Sequence, residues 1–299
     1  MPSPLQKVND SLLEEYGVEL YVKRDDLIHH AISGNKWRKL KYNLLEAKNQ
    51  QKDTLLSFGG AFSNHIYALA AAGAEFGFKT IGVIRGKDAS PENPTLKFAQ
   101  EQGMLLHFVD REDYKRKEEP DFINDLKNLH GNFYLIPEGG SNGLAVKGCE
   151  EIIKEIDLGF DYICCPCGTG ATLAGICSAL PEGKKAIGFS ALKGDGYIEK
   201  EIALLIGDDF KDFEITYAYH FGGYAKITAE LVKFIKSFEE RTNIITDPVY
   251  TGKLFYGVYD LIKKNYFKPG ARIICVHTGG LQGIEGMRQK MEDLLKQPS

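Results

Sequence analysis

Short runs rich in β-branched and aromatic residues alternate along the chain with segments of helical periodicity, and this alternation constrains the fold more than any other feature. The strand-like runs are residues 20–23, 54–58, 80–85, 105–109, 162–165, 186–190 and 272–277. Between them, residues 36–48, 63–76, 94–102, 172–180 and 227–241 have the spacing and length of helices able to cover a sheet face. A strand followed by a helix and then another strand is the signature of parallel α/β architecture, because a parallel connection must cross the sheet. The chain has 299 residues, enough for one large core or two ordinary ones. No repeat divides it, so any second domain must arise by the chain folding back on itself. The Lys- and Glu-rich residues 111–121 and the Gly-rich residues 138–143 read as connections, the first partly helical.

Charge and cysteine usage narrow the function. With 37 basic and 41 acidic residues the net charge is −4 and no long basic run exists, which argues against nucleic acid as a partner. The six cysteines lack the paired spacing of a disulfide framework or a zinc site, and read as core residues in a reducing compartment. No stretch reaches membrane-spanning length, and residues 1–6 lack a basic patch followed by an apolar run. The expectation is an untargeted cytoplasmic protein with no membrane association.

Chemistry concentrates at junctions where a turn leads into a helix. In Ser33-Gly34-Asn35-Lys36-Trp37-Arg38-Lys39, the turn-forming residues place Lys36 in a first helical turn. The positive end of the helix disfavours an ammonium there, and burial would act the same way, so Lys36 is a candidate for a neutral, nucleophilic amine. A solvated basic first turn is the plain alternative. In Ser57-Phe58-Gly59-Gly60-Ala61-Phe62-Ser63-Asn64-His65, a strand runs into an Ala-rich helix. Its amides, Ser63 and Asn64 could bind a carboxylate or a phenolic oxygen, or simply cap the helix. In Cys164-Cys165-Pro166-Cys167-Gly168-Thr169-Gly170-Ala171-Thr172, glycines again join a strand to a helix in the manner of phosphate-binding loops. The Gly-Lys-Ser/Thr ending of an ATP-binding loop is missing, and Leu173 stands where a dinucleotide fingerprint needs its third glycine. Two further junctions are Asp247-Pro248-Val249-Tyr250-Thr251 before a helix and His277-Thr278-Gly279-Gly280 after a strand.

Taken in order, these segments resemble the branch of pyridoxal 5'-phosphate (PLP) enzymes that contains D-cysteine desulfhydrase and 1-aminocyclopropane-1-carboxylate (ACC) deaminase. The resemblance runs from about Pro4 to Gly283 and is most specific at Gly34-Asn35-Lys36-Trp37-Arg38-Lys39-Leu40. It implies the tryptophan-synthase-β-like fold, fold type II, an α/β architecture with two open, twisted, mainly parallel sheets flanked by helices. It also implies a large cofactor domain, residues 1–45 plus 146–299, a smaller mobile domain, residues 46–145, and a homodimer.

Carried over by position, the resemblance makes Lys36 the residue that holds PLP as a Schiff base. Asn64 would bond the ring hydroxyl, and Lys39 with Cys167, Gly168, Thr169, Gly170, Ala171 and Thr172 would surround the phosphate. Ser63, Asn64 and His65 match a loop for the substrate carboxylate, while Tyr224 and Tyr250 match tyrosines that flank a small amino-acid substrate. ACC deaminases resemble one another in having Glu where this chain has Thr251 and Leu where it has Thr278, whereas D-cysteine desulfhydrases have Thr at both. The resemblance therefore implies α,β-elimination from D-cysteine, with Lys36 as base, Tyr250, Tyr224 and Ser63 assisting, and no metal. ACC deamination or a related PLP lyase reaction is the nearer alternative, and a non-catalytic phosphate- or nucleotide-binding α/β protein the more distant one. The Cys-rich residues 164–168, Trp37 and the rather short chain depart from the family pattern.

Overall fold

The computed structural model describes residues 2–90, 92–207 and 212–296. Its strands are β1 (Leu5–Lys7), β2 (Glu19–Lys23), β3 (Thr54–Gly60), β4 (Lys79–Arg85), β5 (Leu105–Val109), β6 (Tyr134–Leu135), β7 (Tyr162–Cys167), β8 (Lys185–Ser190), β9 (Phe213–Thr216) and β10 (Arg272–Val276). They form a six-stranded sheet in the order β1-β2-β10-β7-β8-β9 and a four-stranded sheet in the order β5-β4-β3-β6. Every pairing is parallel except that of β1 with β2. Helices cover both faces of these sheets, which is why β3 and β4 read as continuous apolar runs instead of alternating ones.

The expected α/β layout is present, with most element ends within two residues of their expected positions. The sequence reading missed β1, β6 and β9, of 3, 2 and 4 residues, which are too short to display a period. Residues 111–121 are more ordered than a connection. Asp110 caps a helix at Arg111–Lys115 by accepting from the amides of Glu112 and Asp113, and a second helix, Pro120–His130, begins with proline in its first turn.

Helix Asn35–Asn49 lies where the two sheets meet. Leu40, Leu44 and Ala47 on it are buried with residues of the four-stranded sheet and helix Asn64–Phe76. Its other side packs on helix Gly143–Lys154, where a Cβ on Gly148 would stand 1.9 Å from the Arg38 carbonyl oxygen. Glycine alone permits that approach. Helix Gly143–Lys154 packs in turn on helix Ala171–Ser178 through Gly175, whose Cβ would lie 2.4 Å from that of Cys149. This stack carries the Lys36 turn to the loop that follows β7. All six cysteines are buried and unpaired.

A buried ionic cluster secures the same helix. The Arg38 guanidinium donates to both oxygens of Asp25, at 2.6 and 2.8 Å, and to both oxygens of Glu155, at 2.9 and 2.8 Å. Lys23 donates to Glu155 at 2.7 Å and to the Ser3 carbonyl at 2.6 Å, while the Ser3 hydroxyl donates to Asp25 at 2.6 Å.

Candidate active site

The carboxyl ends of β3, β7 and β10 converge on one cavity of about 480 Å³ between the sheets, the place where open parallel sheets bind ligands. The turn carrying Lys36 is held to the β10 end by its backbone. Gly34 adopts φ +66°, its amide donates to the Asp25 carbonyl, and the Asn35 amide donates to the Thr278 carbonyl at 3.3 Å. A Cβ on Gly34 would fall 1.9 Å from that same Thr278 oxygen. Gly34→Ala is therefore expected to cost several kcal/mol, on the order of 1–3 from the backbone conformation alone, and to displace Lys36. Thermal unfolding together with the visible spectrum of the PLP-loaded protein checks both effects.

Lys36 and Lys39 both face the cavity. Burial, then the neighbouring charge of Lys39, lowers the Lys36 amine to about 7. Lys39 is buried, and burial lowers its pKa too. Its ammonium donates to the Gly139 carbonyl at 3.2 Å and the Thr169 hydroxyl at 3.3 Å, and among the described residues no carboxylate pairs with it. Gly168, Thr169 and Gly170 precede helix Ala171–Ser178, with Gly170 left-handed at its start. A buried cation without an anion, aimed at a glycine loop on a helix N-terminus, fits a phosphate. Asn35 closes the cradle by donating to the Thr172 hydroxyl at 2.9 Å. These residues fit PLP, with Lys36 supplying the amine and Lys39 the phosphate charge.

The remaining expected residues divide into those that reach the cavity and those that do not. Cys167, Gly168, Thr169, Gly170, Thr172 and Thr278 line it, as do Ser63, Asn64, His65, Tyr224 and Tyr250. Ser63 caps helix Asn64–Phe76 by accepting from the Ile66 amide at 3.3 Å, so the capping alternative is realised at the cavity wall. The Asn64 side-chain oxygen accepts from the Gln282 side-chain amide at 2.9 Å. His65 shares a hydrogen bond with the Ser57 hydroxyl at 2.9 Å, while its Nδ1 is buried without a partner. Burial, then the Lys36 and Lys39 charges, holds it neutral. Tyr224 and Tyr250 meet edge to face with centroids 6.1 Å apart, and the Tyr250 hydroxyl lies over Gly168, where a Cβ would stand 3.2 Å from it.

Ala171 and Thr251 are fully buried and stay outside the lining. Ala171 donates its amide to the Thr169 carbonyl. The Thr251 hydroxyl donates to the Asp247 carboxylate at 2.8 Å and accepts the Asp247 amide at 2.9 Å. Asp247 also accepts the amides of Val249 and Tyr250, both at 2.8 Å, so this turn fixes the Tyr250 backbone. The sequence reading overlooked Arg85, Glu138 and Gln282 on the cavity wall. Arg85 could have been found from its place at the carboxyl end of a parallel strand; Gln282 carries no local signal.

Among the described residues no helix is long and apolar enough to cross a membrane. A family profile described as "Pyridoxal-phosphate dependent enzyme" matches residues 1–279. The chain is 33% identical to the Arabidopsis thaliana mitochondrial bifunctional D-cysteine desulfhydrase/1-aminocyclopropane-1-carboxylate deaminase, over 99% of this chain and 80% of that one. It is 32% identical to a Bradyrhizobium 1-aminocyclopropane-1-carboxylate deaminase, over 90% of this chain and 88% of the relative. A crystal structure of an ACC deaminase homologue superposes with a TM-score of 0.85 at 31% identity, covering 99% of this chain and 94% of the other. O-ureido-L-serine synthase, at 13% identity and a TM-score of 0.71, shares the fold. With that fold, with Lys36 and an unpaired Lys39 meeting in one cavity, and with these relatives, the chain belongs to the pyridoxal-phosphate-dependent enzymes of fold type II, in the branch of ACC deaminases and D-cysteine desulfhydrases.

Proposed function

We propose that the protein catalyses α,β-elimination on a small amino acid, D-cysteine foremost, yielding pyruvate, ammonia and hydrogen sulfide. The observation that carries this reading is an amine at Lys36 lowered to about 7, in a cavity that Tyr250 also lines. The cofactor, when bound, supplies an electron sink for the pair left at the substrate Cα.

The helix terminus at Ser63 and Asn64 takes the substrate carboxylate, its amides and partial positive charge matching an anion. Lys36, neutral once released, removes the Cα proton. Tyr250 keeps its hydroxyl proton at all ordinary pH, because burial, then the charges of Tyr224 and Asp247, raises its pKa. In this reading it protonates the sulfur as the Cβ–S bond breaks and the bonding pair leaves with it. Hydrolysis of the remaining three-carbon enamine gives pyruvate and ammonia. Thr278 offers a neutral hydroxyl at the cavity wall, where a carboxylate would deepen the sink, and this suits departure of a stable thiolate better than opening a cyclopropane ring.

The names of the Arabidopsis and Bradyrhizobium relatives favour ACC deamination as a second reading. A purely phosphate-binding role leaves Lys36 and the Ser63–Asn64 terminus without work. Incubating the PLP-loaded protein separately with D-cysteine, L-cysteine and ACC separates the readings. Pyruvate and sulfide from D-cysteine are expected; 2-oxobutyrate from ACC with no sulfide from D-cysteine would reverse the preference. On the same reading the chain acts as a cytoplasmic homodimer in which residues 46–145 move against the rest. A single monomeric species in sedimentation velocity of the loaded protein would remove the dimer, and indistinguishable scattering with and without substrate would remove the motion.

A further inference from the structure

Arg85 is a basic residue of the cavity wall that the proposed cycle leaves unused. It ends β4, the neighbour of β3 in the four-stranded sheet, and its guanidinium lies beside Gly60, where a Cβ would stand 3.5 Å from Nη2. The guanidinium carbon sits 5.5 Å from the centre of the Tyr114 ring, a contact that does not neutralise its charge. Among the described residues it makes no ion pair and no side-chain hydrogen bond. Glu138 is the carboxylate on the cavity wall, and its two oxygens are engaged elsewhere. One accepts from the Tyr114 hydroxyl at 2.8 Å and the other lies 3.6 Å from the Lys117 ammonium. Arg85 lines the same cavity as Tyr224 and Tyr250.

A guanidinium with five donors and no ion pair among the described residues, at a cavity wall, matches a planar or tetrahedral oxyanion better than a neutral group. The substrate carboxylate already has the Ser63–Asn64 terminus. We propose that Arg85 selects α-amino acids whose β-substituent carries a negative charge, taking that distal anion while the Ser63–Asn64 terminus takes the α-carboxylate. The inference rests on the elimination reading for the orientation of the substrate. The bonds are those of that reaction: the Cα–H bond breaks with its proton going to Lys36, and the Cβ–X bond breaks with its pair leaving on the anionic group.

The test compares the holoenzyme with Arg85→Met and Arg85→Lys on both enantiomers of O-phosphoserine, S-sulfocysteine and neutral β-chloroalanine. The wild type is expected to prefer the phosphate or the sulfo compound by kcat/KM, and the two arms tell which oxyanion fits. Arg85→Met should lower the anionic-to-neutral ratio about tenfold to a hundredfold, as loss of a charge-assisted hydrogen-bonded pair does, with Arg85→Lys between. A parallel fall for anionic and neutral substrates would mean that Arg85 holds the α-carboxylate, and would overturn the proposal; so would a wild type without anionic preference. Calorimetric titration with aspartate and asparagine gives a second readout independent of turnover. If aspartate binds more tightly and Arg85→Met erases the difference, the selectivity stands even where no elimination product forms, and only the elimination reading falls.

Discussion

Lys36→Ala is expected to lower kcat for the preferred amino acid by at least about a thousandfold, the range lost with a positioned proton-transfer group, and more when the covalent link to the cofactor is lost too. The visible absorption of the lysine-linked cofactor should vanish, while the thermal midpoint of the cofactor-free protein should change little. Lys36 is partly buried on the cavity wall and makes no ion pair among the described residues, so its removal leaves no charge stranded. The pH profile follows from the direction of its shift. The Lys36 amine lies near 7 instead of 10.5, and proton removal needs the neutral form, so activity rises as pH increases through about 7 and then levels. A profile still climbing toward pH 10 would place an ordinary lysine there. A Lys36→Ala protein that kept both its absorption band and its turnover would end the assignment.

The largest effect on stability is expected at Arg38. Arg38→Met fills similar space but leaves Asp25, fully buried, and Glu155, partly buried, facing each other without their shared cation. Breaking a buried pair in this way costs about 3–5 kcal/mol, because the stranded carboxylates keep the desolvation cost and lose the attraction that offset it. Lys23 remains beside Glu155 and softens the loss on that side. Urea unfolding should show a lower midpoint at unchanged slope, and the same substitution in an Asp25→Asn background should cost measurably less. A loss below about 1 kcal/mol would mean that the cluster adds nothing beyond packing.

Acid should act on the same cluster. Burial opposes ionisation of Glu155, but the hydrogen bonds from Arg38 and Lys23 outweigh it and hold the carboxyl at about 2, below its ordinary 4.5. A carboxyl lowered on folding contributes stability that is complete above its unfolded value and is lost as pH falls toward the folded one. The Arg38 cluster should therefore weaken between about pH 4.5 and 2.

Much of the site was legible because strand-to-helix junctions announce themselves locally. Glycines and small polar residues at Gly34, Gly59-Gly60, Gly168–Gly170 and Gly279-Gly280 marked four of the turns that line the cavity. Glu138 and Gln282 escaped because nothing near them in the chain says that their turns will meet the strand ends at the cavity, whereas Arg85 was marked only by its place at the end of a parallel strand. Thr251 and Ala171 were placed in the right loops, yet both are buried and committed to neighbours in their own turns.

The sequence by itself determined the alternation of strands and helices and the positions of the sharp turns, since these follow from side-chain period and backbone sterics within a few residues. Only the tertiary structure decided that β10 enters between β2 and β7 and that Gly34 meets the Thr278 carbonyl. It alone placed Arg38 between Asp25 and Glu155 and left Lys39 without an anion beside Lys36. The physical reason is that desolvation and charge pairing act between groups brought together from distant parts of the chain, as Arg38 and Glu155 are, so the amine of Lys36 becomes reactive only where the packed chain removes its water.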